Sequence, residues 1–304
     1  MIGIFGANGF IGRHLVRRLA AGAEKVRAVS RHFDPAFAQE MGERVDLVQA
    51  DLGDDISMAS CLQDLRVVVQ LVSTSSPGLE NRYALSDIRE NVIPQVQFVQ
   101  GCITAGVERL VFLSSGGTVY GQPEQLPIPE THPTRPLSSH GMTKLVVEQY
   151  IAMYGRLSGM EHVILRVANP FGPGQTFRKG QGLIPALVSR HEQGLPIRII
   201  GGGAAVRDFI YIDDLMDAIE RAMHRAEAAN RTLNIGSGEG RRIIDVIDRV
   251  ESMLGVRFER ELVDGRTSDV DANILDIALA RSTLDWNPKV NFDDALRRTL
   301  LKSA

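Results

Sequence analysis

The chain has 304 residues, 44% of them hydrophobic, and a formal net charge of −3. That balance suits a folded chain with a sizeable core and excludes a general nucleic-acid or membrane-surface binder, which needs surplus positive charge. No apolar stretch is long enough to span a bilayer. The two cysteines, Cys61 and Cys102, stand outside any CxxC or Cys/His cluster, so neither a disulfide framework nor a metal site is expected. The sequence opens inside a strand with no basic n-region, so no signal peptide is expected, and a reducing cytoplasm is the simplest location.

The first strand ends at Ile4-Phe5 and runs into Gly6-Ala-Asn8-Gly9-Phe10-Ile11-Gly12, with glycines at three-residue spacing. A helix follows, with Leu15, Val16 and Leu19 on one face. Strand, tight glycine turn and helix is the arrangement that holds a dinucleotide pyrophosphate, because glycine lets the backbone approach phosphate and the helix start offers free N–H groups. The competing reading is a glycine-rich turn with no ligand. Next come strands at Lys25–Val29, one ending at Val48–Leu52, and Val67–Val72. A long helix is expected over Leu85–Ala105, spanning Pro94, with Val92, Val96, Val99 and Ile103 as its apolar stripe. Strand Arg109–Ser114, a proline-rich loop from Pro123 to Pro136, a helix over His140–Gly155 and strand Val163–Val167 complete this half.

Apolar strands alternating with helices predict an α/β fold, a doubly wound parallel sheet covered on both faces. After Arg166 the texture changes. Asn169–Gly174 forms turns, Gly180–Pro185 starts a helix, and Gly201–Tyr211 is a glycine turn into a strand. Helices are expected near Asp213–Ala226, Ile243–Leu254, Asp276–Leu284 and Phe292–Leu301. We divide the chain into a dinucleotide-binding domain, 1–167, with returns near 208–238, and a smaller substrate lobe, 168–304.

An ordered series of short segments carries a family resemblance across the whole chain. They are the Gly6–Gly12 turn, Asp51-Leu52, Asn91-Val92, Ser114–Gly121, Lys144, Arg166–Gly174, Arg207–Asp214, Asn234–Gly238, Arg266–Asp269 and Leu284–Pro288. Together they resemble the extended short-chain dehydrogenases/reductases of the nucleotide-sugar epimerase and dehydratase group, UDP-glucose 4-epimerases included. The resemblance implies hydride exchange between a nucleotide sugar and a bound nicotinamide. It implies cofactor contacts at Gly6, Asn8, Gly9, Phe10, Ile11, Gly12, Asp51, Leu52, Leu71, Val72, Ser73, Asn91, Lys144 and Val167. Asn169, Arg207 and Arg266 match stations that hold the nucleotide diphosphate, and Leu183 one that packs the base or sugar. Guanidinium forks suit diphosphate oxygens; the competing reading for each arginine is a surface ion pair, with Asp208 or Asp269 near in sequence. The substrate implied is a nucleotide sugar, most commonly UDP-linked, and the assembly a homodimer formed through the helices near Leu85–Ala105 and His140–Gly155.

Two departures stand out. The family's catalytic tyrosine lies four residues before its lysine, and none of the five tyrosines here does so; His140 holds that position before Lys144. Gly116 stands where a serine or threonine usually bonds the reacting hydroxyl, which leaves its neighbours Ser115 and Thr118 as candidates. Imidazole is a general base by nature, and cationic neighbours favour its neutral form. It reaches less far than a phenol, so either His140 accepts the proton or it only fills the tyrosine's space. The second strand ends at Ser30-Arg31, with no acidic residue to repel a 2′-phosphate, which favours NADP over NAD. Against this stand a solvated Arg31 and an acid from Asp34 in the loop.

Overall fold

The computed structural model describes residues 1–74, 84–177, 182–265 and 270–301. The first half alternates strand and helix: β1 Ile2–Phe5, α1 Phe10–Ala20, β2 Val26–Ser30, α2 Pro35–Met41, β3 Val45–Gln49, α3 Asp55–Leu62 and β4 Val67–Gln70. It continues with α4 Ala84–Asp87, α5 Ile93–Thr104, β5 Arg109–Ser115, α6 Ser139–Ser158 and β6 Glu161–Val167. Between α4 and α5 a π-helical turn, Ile88–Val92, bonds the Ile93 N–H to the Ile88 carbonyl. The expected long helix is therefore one rod with a bulge. Pro94 has no N–H to give, and a widened turn just before it absorbs the missing bond.

The second half begins with β7 Asn169–Phe171, α7 Leu183–Glu192, β8 Ile197–Ile200, β9 Val206–Tyr211, α8 Ile212–His224 and β10 Arg231–Ile235. It ends with β11 Gly240–Arg242, α9 Ile243–Leu254, β12 Arg260–Val263, β13 Ala272–Asn273, α10 Ala278–Leu284 and α11 Phe292–Leu301. The main sheet has seven strands in the order β10-β6-β5-β4-β1-β2-β3. All of its pairings are parallel. This is a Rossmann-like α/β fold. Strand order reverses between β1 and β4, so a crevice opens outside the carboxyl ends of those strands, where such sheets bind ligands. β10 reaches the far edge after the chain has left through β7, α7 and β9.

Side-chain alternation along the strands feeds two cores. Ile2 and Ile4 of β1, with Val111 and Leu113 of β5, pack on the side of α1 and α8. Phe5, Leu110 and Phe112 pack on the side of α3, α5 and α6, against Leu62, Phe98, Val99, Val147 and Ile151. The remaining strands build a smaller sheet in which β9 lies between β11 and β13 and also pairs with β7, beside a β8–β12 pair. Asp208 of β9 is fully buried and accepts from the Ser237 amide (2.8 Å) and hydroxyl (2.7 Å), the Gly238 amide (3.1 Å) and the Leu275 amide (3.3 Å). One carboxylate thus ties the Asn234–Gly238 turn and the segment after β13 to β9. No described helix is long and apolar enough to cross a membrane.

Candidate functional site

The glycine turn sits at the switch point. Gly6 and Ala7 donate to the Val29 carbonyl at 2.9 and 3.1 Å, which pins the turn to β2. Gly6 has φ +86°, and a β-carbon there would come within 3.1 Å of the Leu71 and Val72 backbone. A β-carbon on Gly12 would stand 2.3 Å from the Gly6 carbonyl oxygen. Only glycine permits both the turn and the close seating of α1. Gly9 caps α1 without a side-chain bond, so the first-turn N–H groups have no side-chain acceptor there and face the region a pyrophosphate would take. The Asn8 side chain braces the loop, accepting from the Asp34 amide (3.2 Å) and Arg13 Nε (3.1 Å).

Asp34 is the N-cap of α2, accepting from the Ala36 and Phe37 amides, and lies 3.7 Å from Arg13. Those backbone bonds first, then Arg13, hold its carboxyl below the ordinary range. The loop acid is therefore committed locally. Ser30 is half-buried at the end of β2, and Arg31 is exposed beside it. Asp51 is exposed and receives the Gly53 amide at 2.9 Å; Leu52 follows it, half-buried.

A crevice beside the ends of β4 and β5 is lined by Val72, Ser73, Asn91, Gln95, Phe112, Thr143, Lys144 and Val147. It brings together four of the expected cofactor residues: Val72, Ser73, Asn91 and Lys144. Leu71 precedes them, its amide bonded to the Phe5 carbonyl, and Val167 ends β6. Asn91 accepts from the Thr74 amide at 2.8 Å, while its own Nδ2 is buried with no partner among the described residues. Gln70 Nε2 is likewise unsatisfied. Unpaired buried donors beside a cradle that excludes β-carbons fit a bound dinucleotide. Gln95, Phe112 and Thr143 were not singled out from sequence. Gln95 had one legible signal, a polar side chain inside an apolar helical stripe, and its amide donates to the Val72 carbonyl at 2.9 Å.

His140 and Lys144 stand one turn apart near the start of α6, whose N-cap Ser138 accepts from the Gly141 amide at 3.1 Å. His140 is buried, and burial first, then the Lys144 charge, pushes its pKa down to about 3. Lys144 Nζ donates to the Leu113 carbonyl at 2.8 Å and lies 4.8 Å from the Phe112 ring centre. Burial pulls its pKa down to about 8, against the opposing charge of Glu148. Ser115 ends β5, half-buried. Thr118 Oγ1 is buried with no partner among the described residues. The Thr118 carbonyl packs so closely on the start of α6 that a β-carbon on Gly141 would lie 2.5 Å from it. Leu275 occupies the space beside Gly116: a β-carbon there would stand 2.6 Å from Leu275 Cδ1 and 3.0 Å from the Arg166 carbonyl oxygen. Asn273 Nδ2 donates to the Gly116 carbonyl at 3.0 Å.

Of the expected substrate residues, Asn169 Nδ2 donates to the Asp208 carbonyl at 2.7 Å and Arg207 Nη1 to the Val206 carbonyl at 2.8 Å. Leu183 is the first residue of α7. Arg266 lies outside the described residues, as does Tyr83. Asn169 and Arg207 come from neighbouring strands, β7 and β9, whose register places Asn169 beside Phe209. A wider surface groove, lined by Arg18, Asp217, Glu220, Arg221, His224 and Arg225, contains none of these residues; Arg18 and Arg221 there pair with Asp217 and Glu220.

Comparison with known proteins agrees with this fold. The model of the NAD dependent epimerase/dehydratase family matches residues 2–236. A putative UDP-glucose 4-epimerase of Methanocaldococcus jannaschii is 30% identical over 303 residues, 99% of this chain and 97% of that protein. A dTDP-4-dehydro-6-deoxyglucose reductase of Escherichia coli is 32% identical over 240 residues, 79% of this chain and 75% of that one. The structure of the Thermotoga maritima UDP-glucose 4-epimerase with UDP-glucose superposes with a TM-score of 0.92 at 28% identity, covering 99% of this chain and 98% of that one. The Thermus thermophilus UDP-glucose 4-epimerase in complex with NAD gives 0.91 at 27% identity with the same coverage.

Proposed function

The chain belongs to the NAD-dependent epimerase/dehydratase family, and from that premise we propose that it is a 4-epimerase of a UDP-linked sugar in which His140 replaces the usual tyrosine. The observation that carries the reading is buried His140 one helical turn before half-buried Lys144, with Lys144 bonded to the Leu113 carbonyl of β5 and Gly141, next to His140, packed on the Thr118 carbonyl. A bound nicotinamide supplies the hydride acceptor and donor at C4. The protein supplies position and proton handling. Gly6, Asn8, Gly9, Phe10, Ile11 and Gly12 hold the pyrophosphate, Asp51 and Leu52 the adenine, and Leu71, Val72, Ser73, Asn91 and Val167 the floor beneath the cofactor. Lys144 holds the nicotinamide ribose. Asn169, Arg207 and Arg266 take the nucleotide diphosphate, and Leu183 packs the base or sugar.

His140 would accept the C4 hydroxyl proton as the 4-keto sugar forms and give it back to that same oxygen once the ketone has turned its other face to the hydride donor, which inverts C4. The unpartnered Thr118 hydroxyl, with Ser115, bonds the same oxygen. Burial keeps the imidazole neutral and always able to accept. The same low pKa makes it a weak base, since a proton acceptor works best when matched to the working pH. Slow turnover follows, with a tyrosine at this position faster.

A 4-ketoreductase is the second reading. Ser30 and exposed Arg31, with Asp34 tied up in its helix cap, favour NADP, and NADP in exchange suits a reductase better than a retained oxidised cofactor. The similar E. coli reductase acts on a 4-keto sugar by its name. A homodimer through α4–α5 and α6 accompanies either reading. Exposed Leu85, Ile88 and Ile93 on one helix, with Met142, Tyr150 and Leu157 on the other, support it.

The test is proton NMR of the protein with NAD or NADP and a panel of UDP-hexoses and UDP-N-acetylhexosamines, beside His140→Tyr. Inversion of a sugar carbon by the native chain supports the 4-epimerase and the role of His140. Turnover only by the tyrosine variant identifies a competent pocket whose activity was lost at His140. No turnover by either refutes the epimerase and directs the test to 4-keto sugars with NADPH.

A further inference from the structure

Spacing of four along α6 places His140, Lys144 and Glu148 one above another on one helix face. The first two serve the proposed chemistry. The third is almost fully buried, and its contacts lead away from the crevice. Glu148 Oε2 pairs with Arg166 Nη2 at 2.7 Å, and both of its oxygens receive Arg166 Nε at 3.2 Å. The Ser114 hydroxyl donates to Glu148 Oε1. Arg166 also donates to the Tyr120 hydroxyl at 3.0 Å, and that hydroxyl donates to Asn234 Oδ1 at 2.7 Å.

The end of β5 is thereby clamped to α6 at two consecutive residues. Lys144 holds the Leu113 carbonyl, and Glu148 holds the Ser114 hydroxyl. Among the described residues, the charged groups around Lys144 are few. His140 and Glu148 share its helix. From β5 come Phe112 and Leu113, both uncharged, and from β6 comes Arg166, bound to the same Glu148 carboxylate. The rod opposite offers uncharged Asn91 and Gln95, and its Glu90 is bonded to Thr74. Glu148 is thus the anion one helical turn from a half-buried lysine whose pKa burial lowers.

We propose that Glu148 is a positioning residue for Lys144: its carboxylate, one helical turn further along α6 and fixed by Arg166, keeps the lysine in its cationic, cofactor-binding form at neutral pH. A carboxylate one helical turn away offsets part of the desolvation of a half-buried amine, even where its direct ion pair is with Arg166. Without the carboxylate, Arg166 would be a buried cation with no anion beside it and Lys144 would lose the negative charge next along its helix face. This rests on the reading that Lys144 binds the dinucleotide.

The experiment is titration of native protein with NADH and NADPH from about pH 6 to 9.5, followed by cofactor fluorescence, and repeated with Glu148→Gln, Glu148→Asp and Ser114→Ala. Lys144 binds as the cation, so native affinity is full below about pH 8 and falls as pH rises through that value. Glu148→Gln moves the fall toward acid by about one pH unit and weakens binding at pH 8 by about fivefold, since the charged fraction there drops from about one half to about one tenth. Glu148→Asp restores most of the native profile. Ser114→Ala, which removes a bond and no charge, leaves the midpoint in place; a purely structural clamp would respond to it like Glu148→Gln. Should Glu148→Gln not fold because Arg166 is stranded, Glu148→Gln/Arg166→Gln removes both charges and predicts a smaller acid shift, because the Arg166 cation leaves with the nearer Glu148 anion. An unmoved midpoint in whichever Gln variant folds overturns the inference. Failure of native protein to bind either dinucleotide overturns the function proposed above instead.

Discussion

His140 makes acid stability a sharp test of the site. Its pKa is about 3 in the fold against an ordinary 6.5, and the side chain is only 7% exposed. The fold therefore binds the proton less well than the unfolded chain does. The sign follows: the neutral imidazole costs nothing above pH 6.5, and stability is lost as pH falls from 6.5 toward 3, because only the unfolded chain picks up the proton. Between about pH 7.5 and pH 4.5 the unfolded histidine gains roughly two units of protonation free energy that the folded one does not, so the loss is about 2.7 kcal/mol. Carboxylates titrate over the same range, so the quantity to measure is a difference. Urea unfolding of native protein and His140→Gln at both pH values isolates it, since glutamine never charges. The native chain should lose about 2.7 kcal/mol more than the variant on acidification. Equal losses, within about 0.5 kcal/mol, would refute the claim that a neutral, desolvated imidazole sits at this position.

Other tests address neighbouring parts of the argument. Gly116→Ser, which restores the family's usual hydroxyl, should destabilise by about 1–3 kcal/mol in thermal or urea unfolding, because Leu275 fills the space. Gly116→Ser with Leu275→Val should recover part of that loss, and no recovery would mean that the Arg166 carbonyl, not Leu275, is the obstacle. Arg31→Ala should weaken NADPH binding by about tenfold and leave NADH binding within about twofold, on the scale of one charge-assisted hydrogen bond; equal effects on both cofactors would remove Arg31 from 2′-phosphate recognition. Sedimentation at micromolar concentration should show a dimer, and Ile88→Glu with Leu157→Glu should shift it to monomer; a native monomer would refute the exposed helix faces as a homodimer surface.

Much of the fold was legible because its signals are local. Apolar strands, glycine punctuation and helical stripes need only near neighbours along the chain, and the elements that were expected fall within a few residues of their spans; α2, α3, β8, β11 and β12 were not expected, and Asn169–Phe171, read as turns, is strand β7 because it pairs with β9. The rod over Ala84–Thr104 was expected as a helix, but its π turn depends on how the backbone accommodates Pro94. Site residues with a motif around them, such as the Gly6–Gly12 turn and Lys144, could be named in advance. Glu148 and Leu275 could not, because each matters through a partner far along the chain.

The sequence by itself determined the parallel α/β architecture, the family, and the absence of a tyrosine four residues before Lys144. These are properties of pattern and residue type, and packing cannot change them. The tertiary structure decided the chemistry of those residues. It buried His140 and half-buried Lys144 beside it, and so lowered the pKa of both. It laid Leu275, from a segment 159 positions further along, over Gly116. It set the Glu148 carboxylate between Arg166 and Ser114, three residues from three separate stretches of chain. Burial and charge neighbourhood are sums over space, and a linear sequence does not carry that sum until the chain has folded.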